Sequence, residues 1–177
     1  IGPDGALYVC NNGGFAWTRE GCHRPIGQAA DYSGGRIERV DLASGRVERV
    51  LDAVDGLPLK GPNDLVFGAD GGLWFTDLGK ARATEMDRGG VFWTPADGRG
   101  ARVVARPALT ANGTALSPDG RTLYYAETEG ARLWAFEVTG PGEVARQPWP
   151  SPQGARLVCA APGGHYQRFE DRKSTRL

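Results

Sequence analysis

The stretch Gly61-Pro-Asn-Asp-Leu-Val-Phe-Gly-Ala-Asp-Gly-Gly-Leu-Trp-Phe-Thr-Asp77 decides the fold. An apolar run leads into a tight turn at Ala69-Asp70-Gly71, and a short aromatic strand, Leu73 to Asp77, leaves it. Asp-Gly is favoured in tight hairpins because both residues tolerate positive φ. Branched and aromatic residues suit the pleated surface that follows. The same pattern recurs on both sides, as Pro3-Asp4-Gly5 before Ala6 to Cys10 and as Pro118-Asp119-Gly120 before Leu123 to Glu127. The turn aspartates are 66 and then 49 residues apart.

Each unit continues into a second hairpin. Arg36 to Leu42 turns at Ser44-Gly45 into Arg46 to Leu51. Val91 to Thr94 turns at Asp97-Gly98 into Arg102 to Val104, and Arg132 to Val138 turns at Gly140 to Gly142. Several of these runs alternate apolar with charged residues, as a strand with one solvated face does. Four strands per unit at a spacing of about 50 residues is the signature of a propeller blade. The reading is therefore all-β, a β-propeller with about three blades over residues 1–169. The longer first interval is expected to hold a loop from Gly13 to Gly35, and no segment shows a helical period. A closed propeller takes roughly four to eight blades, so the chain, which opens on Ile1, is expected to be incomplete.

Composition narrows the function. The 177 residues hold 21 basic and 21 acidic side chains. That balance lacks the basic excess of a nucleic-acid or anionic-membrane surface. No apolar run reaches the roughly 20 residues of a membrane span. The 27 glycines and 12 prolines fit a turn-rich β fold. Cys10, Cys22 and Cys159 are odd in number and form no Cys-x-x-Cys, which points to reduced thiols in a cytoplasmic protein.

Alignment on the turn aspartates brings out candidate chemistry. Asn63 lies seven residues before Asp70, and Asn112 seven before Asp119. The first strand of each propeller blade lines the central channel, so the two carboxamides are expected to point at one place near its mouth. Amide oxygen is a hard donor, suited to Ca²⁺ or Mg²⁺. Asn11 and Asp77, each seven residues after a turn aspartate, are expected to support that site. Asparagine before glycine or aspartate is also ordinary turn chemistry, which is the competing reading. His23 and His165 have no ligand partner at close spacing. No Gly-x-Ser-x-Gly elbow occurs, and Asn11-Asn-Gly-Gly14 lacks the Lys-Ser/Thr of a phosphate loop. The tryptophans and tyrosines recur at blade positions and are read as packing between blades.

Gly61-Pro-Asn-Asp-Leu-Val-Phe67 with Leu73 to Asp77, and Asn112-Gly-Thr-Ala-Leu-Ser-Pro-Asp-Gly120 with Leu123 to Thr128, resemble the family of gluconolactonases, regucalcin (the senescence marker protein) and luciferin-regenerating enzyme. The likeness runs from Ile1 to Phe169. It implies a six-bladed propeller with a divalent metal at one mouth of the channel, Ca²⁺ foremost, with Zn²⁺, Mg²⁺ or Mn²⁺ as alternatives. By that resemblance Asn112 is a metal ligand, Asn63 binds metal or substrate beside it, and Asp64 supports it. A family glutamate would fall before Ile1, and a family aspartate at position 170, where this chain has Glu170. Gly61 stands where many relatives carry an arginine that lies near substrate, and Ala111 where proline is common.

The resemblance implies hydrolysis of sugar lactones or similar cyclic esters. The metal would polarise the ring carbonyl and activate water, and the aspartate would serve as general base. The chain as it stands is expected to be inactive. A non-catalytic propeller scaffold or calcium binder is the alternative, and a related propeller for amine-aldehyde condensation a third. The last seven residues, Asp171 to Leu177, match no strand or turn pattern. They translate the start of a common short-read sequencing adapter, so residues 170–177 are expected to be a non-native tail.

Overall fold

A computed structural model describes residues 1–18, 21, 23–151 and 153–161. All regular structure among them is β. The first sheet is built from β1 (Leu7–Asn11), β4 (Arg36–Val40) and β5 (Val47–Leu51), in the order β1-β4-β5. Between β1 and β4 lie β2 (Phe15–Trp17) and β3 (Pro25–Gln28), which pair only with each other. A two-stranded link, β6 (Ala53–Val54) with β7 (Leu57–Pro58), leads to the second sheet. That sheet is a four-stranded meander of β8 (Pro62–Phe67), β9 (Leu73–Asp77), β10 (Gly89–Thr94) and β11 (Arg102–Ala108). The third sheet holds β12 (Ala111–Leu116), β13 (Thr122–Glu127) and β14 (Arg132–Gly140). The two ends of β14 pair with β15 (Glu143–Ala145) and β16 (Arg156–Ala160) along one edge. Each of these three larger sheets is one propeller blade, the first with three strands among the described residues where four were expected, and each predicted turn sits where the repeat placed it.

Burial follows the sequence pattern. In β4, Ile37 is buried while Arg36, Glu38 and Arg39 remain partly exposed. Every residue of β9 is buried, because blade 2 is covered on both faces. Successive side chains of a strand point to opposite faces. Leu73 and Phe75 accordingly pack with Tyr8, Ile37 and Phe92 against blade 1. Trp74 packs with Trp93, Tyr125, Trp134 and Phe136 against blade 3. Tyr8 meets Phe67 edge-on at 4.9 Å, and Trp74 meets Trp93 at 6.5 Å. These aromatics fill the seams between blades, as the repeat implied. Trp17 and Trp149 depart from that pattern and are exposed. Cys159 is a free, exposed thiol, and Cys22 lies outside the described residues.

The segment read as a loop from Gly13 to Gly35 contains the β2–β3 hairpin. Its strands are only three and four residues long, too short to show a period of two in the sequence.

Candidate active site

The first strands of blades 2 and 3 carry the same irregularity. On β8, Pro62 lies opposite Asp77 but Leu65 opposite Phe75, which leaves one extra residue at Asn63-Asp64. On β12, Ala111 lies opposite Glu127 but Thr114 opposite Tyr125, which leaves one extra at Asn112-Gly113. Bulges of this kind re-aim side chains and collect beside functional sites. Both asparagines therefore sit on bulges at equivalent places, and both line one cavity of about 860 Å³. Asn63 is exposed at its wall, whereas Asn112 is buried.

Asn112 is held firmly. Its amide nitrogen donates to Thr128 Oγ1 at 2.9 Å, which turns the carboxamide oxygen the other way. Its backbone carbonyl accepts a short hydrogen bond from the Thr76 hydroxyl. Asp64 does not line the cavity. Its Oδ2 accepts the backbone N–H of Thr114 at 2.7 Å, tying β8 to β12 and fixing the bulge that carries Asn112. The Asp64 N–H in turn donates to Thr76 Oγ1 at 3.2 Å.

Asp77 and Asn11 also lie behind the cavity wall. The Asp77 carboxylate is buried and accepts three backbone N–H groups, from Lys60 at 2.6 Å, Gly61 at 2.7 Å and Gly79 at 2.8 Å. Asn11 donates to Glu38 at 3.0 Å and accepts the Gly13 N–H at 3.0 Å. Its neighbour Asn12 is the residue that reaches the cavity. Arg36 joins the cluster through Glu38 at 2.6 Å. Burial raises the Glu38 pKa, but the bonds from Asn11 and Arg36 outweigh it and hold the carboxyl below its usual range. Glu170 lies outside the described residues.

Three features of the site gave no signal in the sequence. Lys80 is 1% exposed and lines the same cavity. It donates to the Gly14 carbonyl at 2.9 Å and the Asn12 carboxamide oxygen at 3.4 Å, and lies 3.5 Å above the centre of the Phe15 ring. Burial pulls its pKa down to about 8, with the Asp77 charge opposing that shift. In the sequence a single lysine after Gly79 reads as surface. Thr110, at the entry to β12, holds φ at +52°, a costly conformation for a β-branched residue. Three hydrogen bonds fasten it there: its carbonyl accepts the Thr128 N–H, its hydroxyl accepts the Glu129 N–H, and the hydroxyl donates to Leu109 O. The third feature is the β2–β3 hairpin, which closes the cavity on the blade 1 side.

Among the described residues no three His, Cys, Asp or Glu side chains converge as a metal cluster. What the cavity offers a cation is amide oxygen from Asn63 and Asn112, with the Glu129 carboxylate also on its lining. That donor type fits a hard ion such as Ca²⁺ and forms part of a ligand set.

Residues 1–151 match the family model described as the SMP-30/gluconolactonase/LRE-like region. The chain belongs to that family. Among its members, a protein of Zymomonas mobilis named gluconolactonase is 30% identical over 151 residues, covering 80% of this chain and 36% of its own length. A Staphylococcus saprophyticus protein named lactonase drp35 is 32% identical over 142 residues, covering 80% and 38%. A solved structure of a Xanthomonas campestris gluconolactonase superposes with a TM-score of 0.56 at 29% identity, over 72% of this chain and 42% of its own. The chain thus spans little more than a third of the length of these curated family members.

Proposed function

We propose that these blades carry part of the active site of a metal-dependent lactone hydrolase. The observation that carries the reading is the pairing of Asn63 and Asn112. They occupy equivalent bulges of successive blades and line one cavity. A scaffold has no need of convergent oxygen donors in its channel. The names of the family members support a cyclic ester as substrate.

In this reading Asn63 and Asn112 hold a divalent cation, with Ca²⁺ the best match to amide oxygen. A cation bound there supplies Lewis-acid chemistry for the ring carbonyl. The carboxylate at position 170, assigned by resemblance, would complete the charged part of the donor set. The chain's own residues do the positioning. Thr128 orients the Asn112 carboxamide, Thr76 and Asp64 anchor the bulge behind it, and Thr110 shapes the cavity floor.

The test is turnover of glucono-δ-lactone by the full-length protein, followed as acid release. Hydrolysis that is abolished by a chelator, restored by calcium, and lost in Asn112→Ala supports the reading. Absence of turnover on sugar and simple δ-lactones with calcium present would overturn it.

A further inference from the structure

The β2–β3 hairpin belongs to none of the three blades. It is inserted between β1 and β4, which pair directly with one another, so the blade does not need it. It is nevertheless fixed in place. The Lys80 ammonium grips the chain at Asn12 and Gly14 and sits against Phe15. At the other end the Gln28 N–H donates to the Ala81 carbonyl at 3.0 Å. Gly27, at φ +142°, brings the hairpin close to that carbonyl, so an added Cβ would lie 3.3 Å from its oxygen. No carboxylate lies within ion-pair distance of Lys80 among the described residues. A buried cation without an anion is unfavourable, and its contacts go to the base of the hairpin.

The hairpin turns a mixed surface to the cavity, with exposed His23 and Arg24 beside its apolar residues. Trp17 is 54% exposed and Ile26 62% exposed, and both line it with Phe15 and Met86. The opposite wall, with Asn63, Asn112, Thr110 and Thr128, is polar. A cyclic ester bound with its carbonyl at the asparagines directs a ring substituent at the wall formed by Trp17 and Ile26. Water on that wall is displaced favourably only by an apolar group.

We propose that the β2–β3 hairpin is the specificity wall of this cavity, and that through Trp17 and Ile26 it selects δ-lactones bearing an apolar substituent over unsubstituted ones. The lactone ring rests on the hydrolase reading above; the apolar preference rests on the wall alone.

Two measurements on the full-length protein separate these. The first compares kcat/KM for a pentyl-substituted and an unsubstituted δ-lactone. Each buried methylene is worth about fourfold, so partial burial of the chain should favour the pentyl compound by about tenfold or more. The double substitution Trp17→Ser with Ile26→Ser should reduce that ratio to within about threefold, while Ile26→Leu should keep it. The second is calorimetric binding of the matching δ-lactams, which need no turnover. The pentyl lactam should bind about tenfold tighter than the unsubstituted one, with a more negative heat-capacity change. Lactam discrimination without lactone hydrolysis would sink the hydrolase reading and leave the wall standing. Equal lactam affinities, or a ratio unmoved by the serine substitutions in a protein with native thermal stability, would overturn the wall.

Discussion

Asp77 and Glu127 stand at the same place in successive blades. Each ends the second strand, Asp77 opposite Pro62 and Glu127 opposite Ala111. Each carboxylate is buried and reaches back to backbone N–H groups that precede the first strand of its own blade. Asp77 takes those of Lys60 and Gly61, and Glu127 that of Leu109 at 2.8 Å. Glu127 also accepts the indole N–H of Trp134 at 2.8 Å. The repeat thus carries an internal strut that fixes the approach to each asparagine bulge.

The strut predicts a graded loss of stability. Asp77→Ala leaves three backbone donors without their acceptor and should destabilise the protein by about 3–4 kcal/mol. Glu127→Ala strands two donors and should remove about 2–3 kcal/mol. Asp77→Asn keeps one acceptor oxygen and should fall between wild type and Asp77→Ala. Denaturant unfolding of the full-length protein reads all three.

The asparagines should separate by chemistry. If the Asn112 oxygen binds a cation, Asn112→Ala should weaken calcium binding by tenfold or more, whereas Asn112→Asp should retain or strengthen it. Ordinary turn chemistry would give equal calcium affinity in all three proteins. Asn63→Ala, at the more exposed position, should weaken binding less. Isothermal titration with calcium is the measurement.

Much of this architecture is legible from turn chemistry. Asp4, Asp70 and Asp119 mark three hairpins because Asp-Gly works locally, whatever surrounds it. The placement of Asn63 and Asn112 on one cavity follows, since equivalent strands of successive blades face the same axis. Glu127 was missed for a local reason. The third turn has one residue more before its strand, Arg121-Thr122 against Gly72, so a count of seven from Asp119 lands on Ala126. Asn11 was placed at the same count, and it is Asn12, one residue on, that reaches the cavity. Lys80 and the hairpin were illegible because their meaning is tertiary. A lysine is recognisable as buried only once Phe15, Asn12 and Gly14 have been folded around it.

Lys80 gives the protein a pH signature. Its pKa lies at about 8 in the fold against 10.5 unperturbed, through burial opposed by Asp77. Between those values the unfolded chain holds the proton that the folded chain has released. Stability from this group therefore rises with pH from about 8 to about 10.5. Lys80→Met removes that rise. The difference in unfolding free energy between wild type and Lys80→Met should change across this window and level off below about pH 7. A difference independent of pH would show that Lys80 is solvated in the folded state.

Gly61 makes the sharpest structural prediction. A Cβ at Gly61 would lie 2.5 Å from the Gly79 carbonyl oxygen and 3.6 Å from Lys80 Cε. The oxygen is backbone, and its residue is tethered by the Gly79 N–H to Asp77; Gly61 O accepts the Leu78 N–H at 2.8 Å. A side chain at position 61 must therefore displace the segment that leads into Lys80. Gly61→Ala should cost about 1–3 kcal/mol by overpacking, and Gly61→Arg at least as much. Because the displaced segment ends in Lys80, both should also loosen the base of the β2–β3 hairpin. Hydrogen exchange at residues 14–17 reads that loosening directly. Gly61→Arg with wild-type stability and unchanged exchange would mean that the segment moves aside freely and that Lys80 is not what fixes the hairpin.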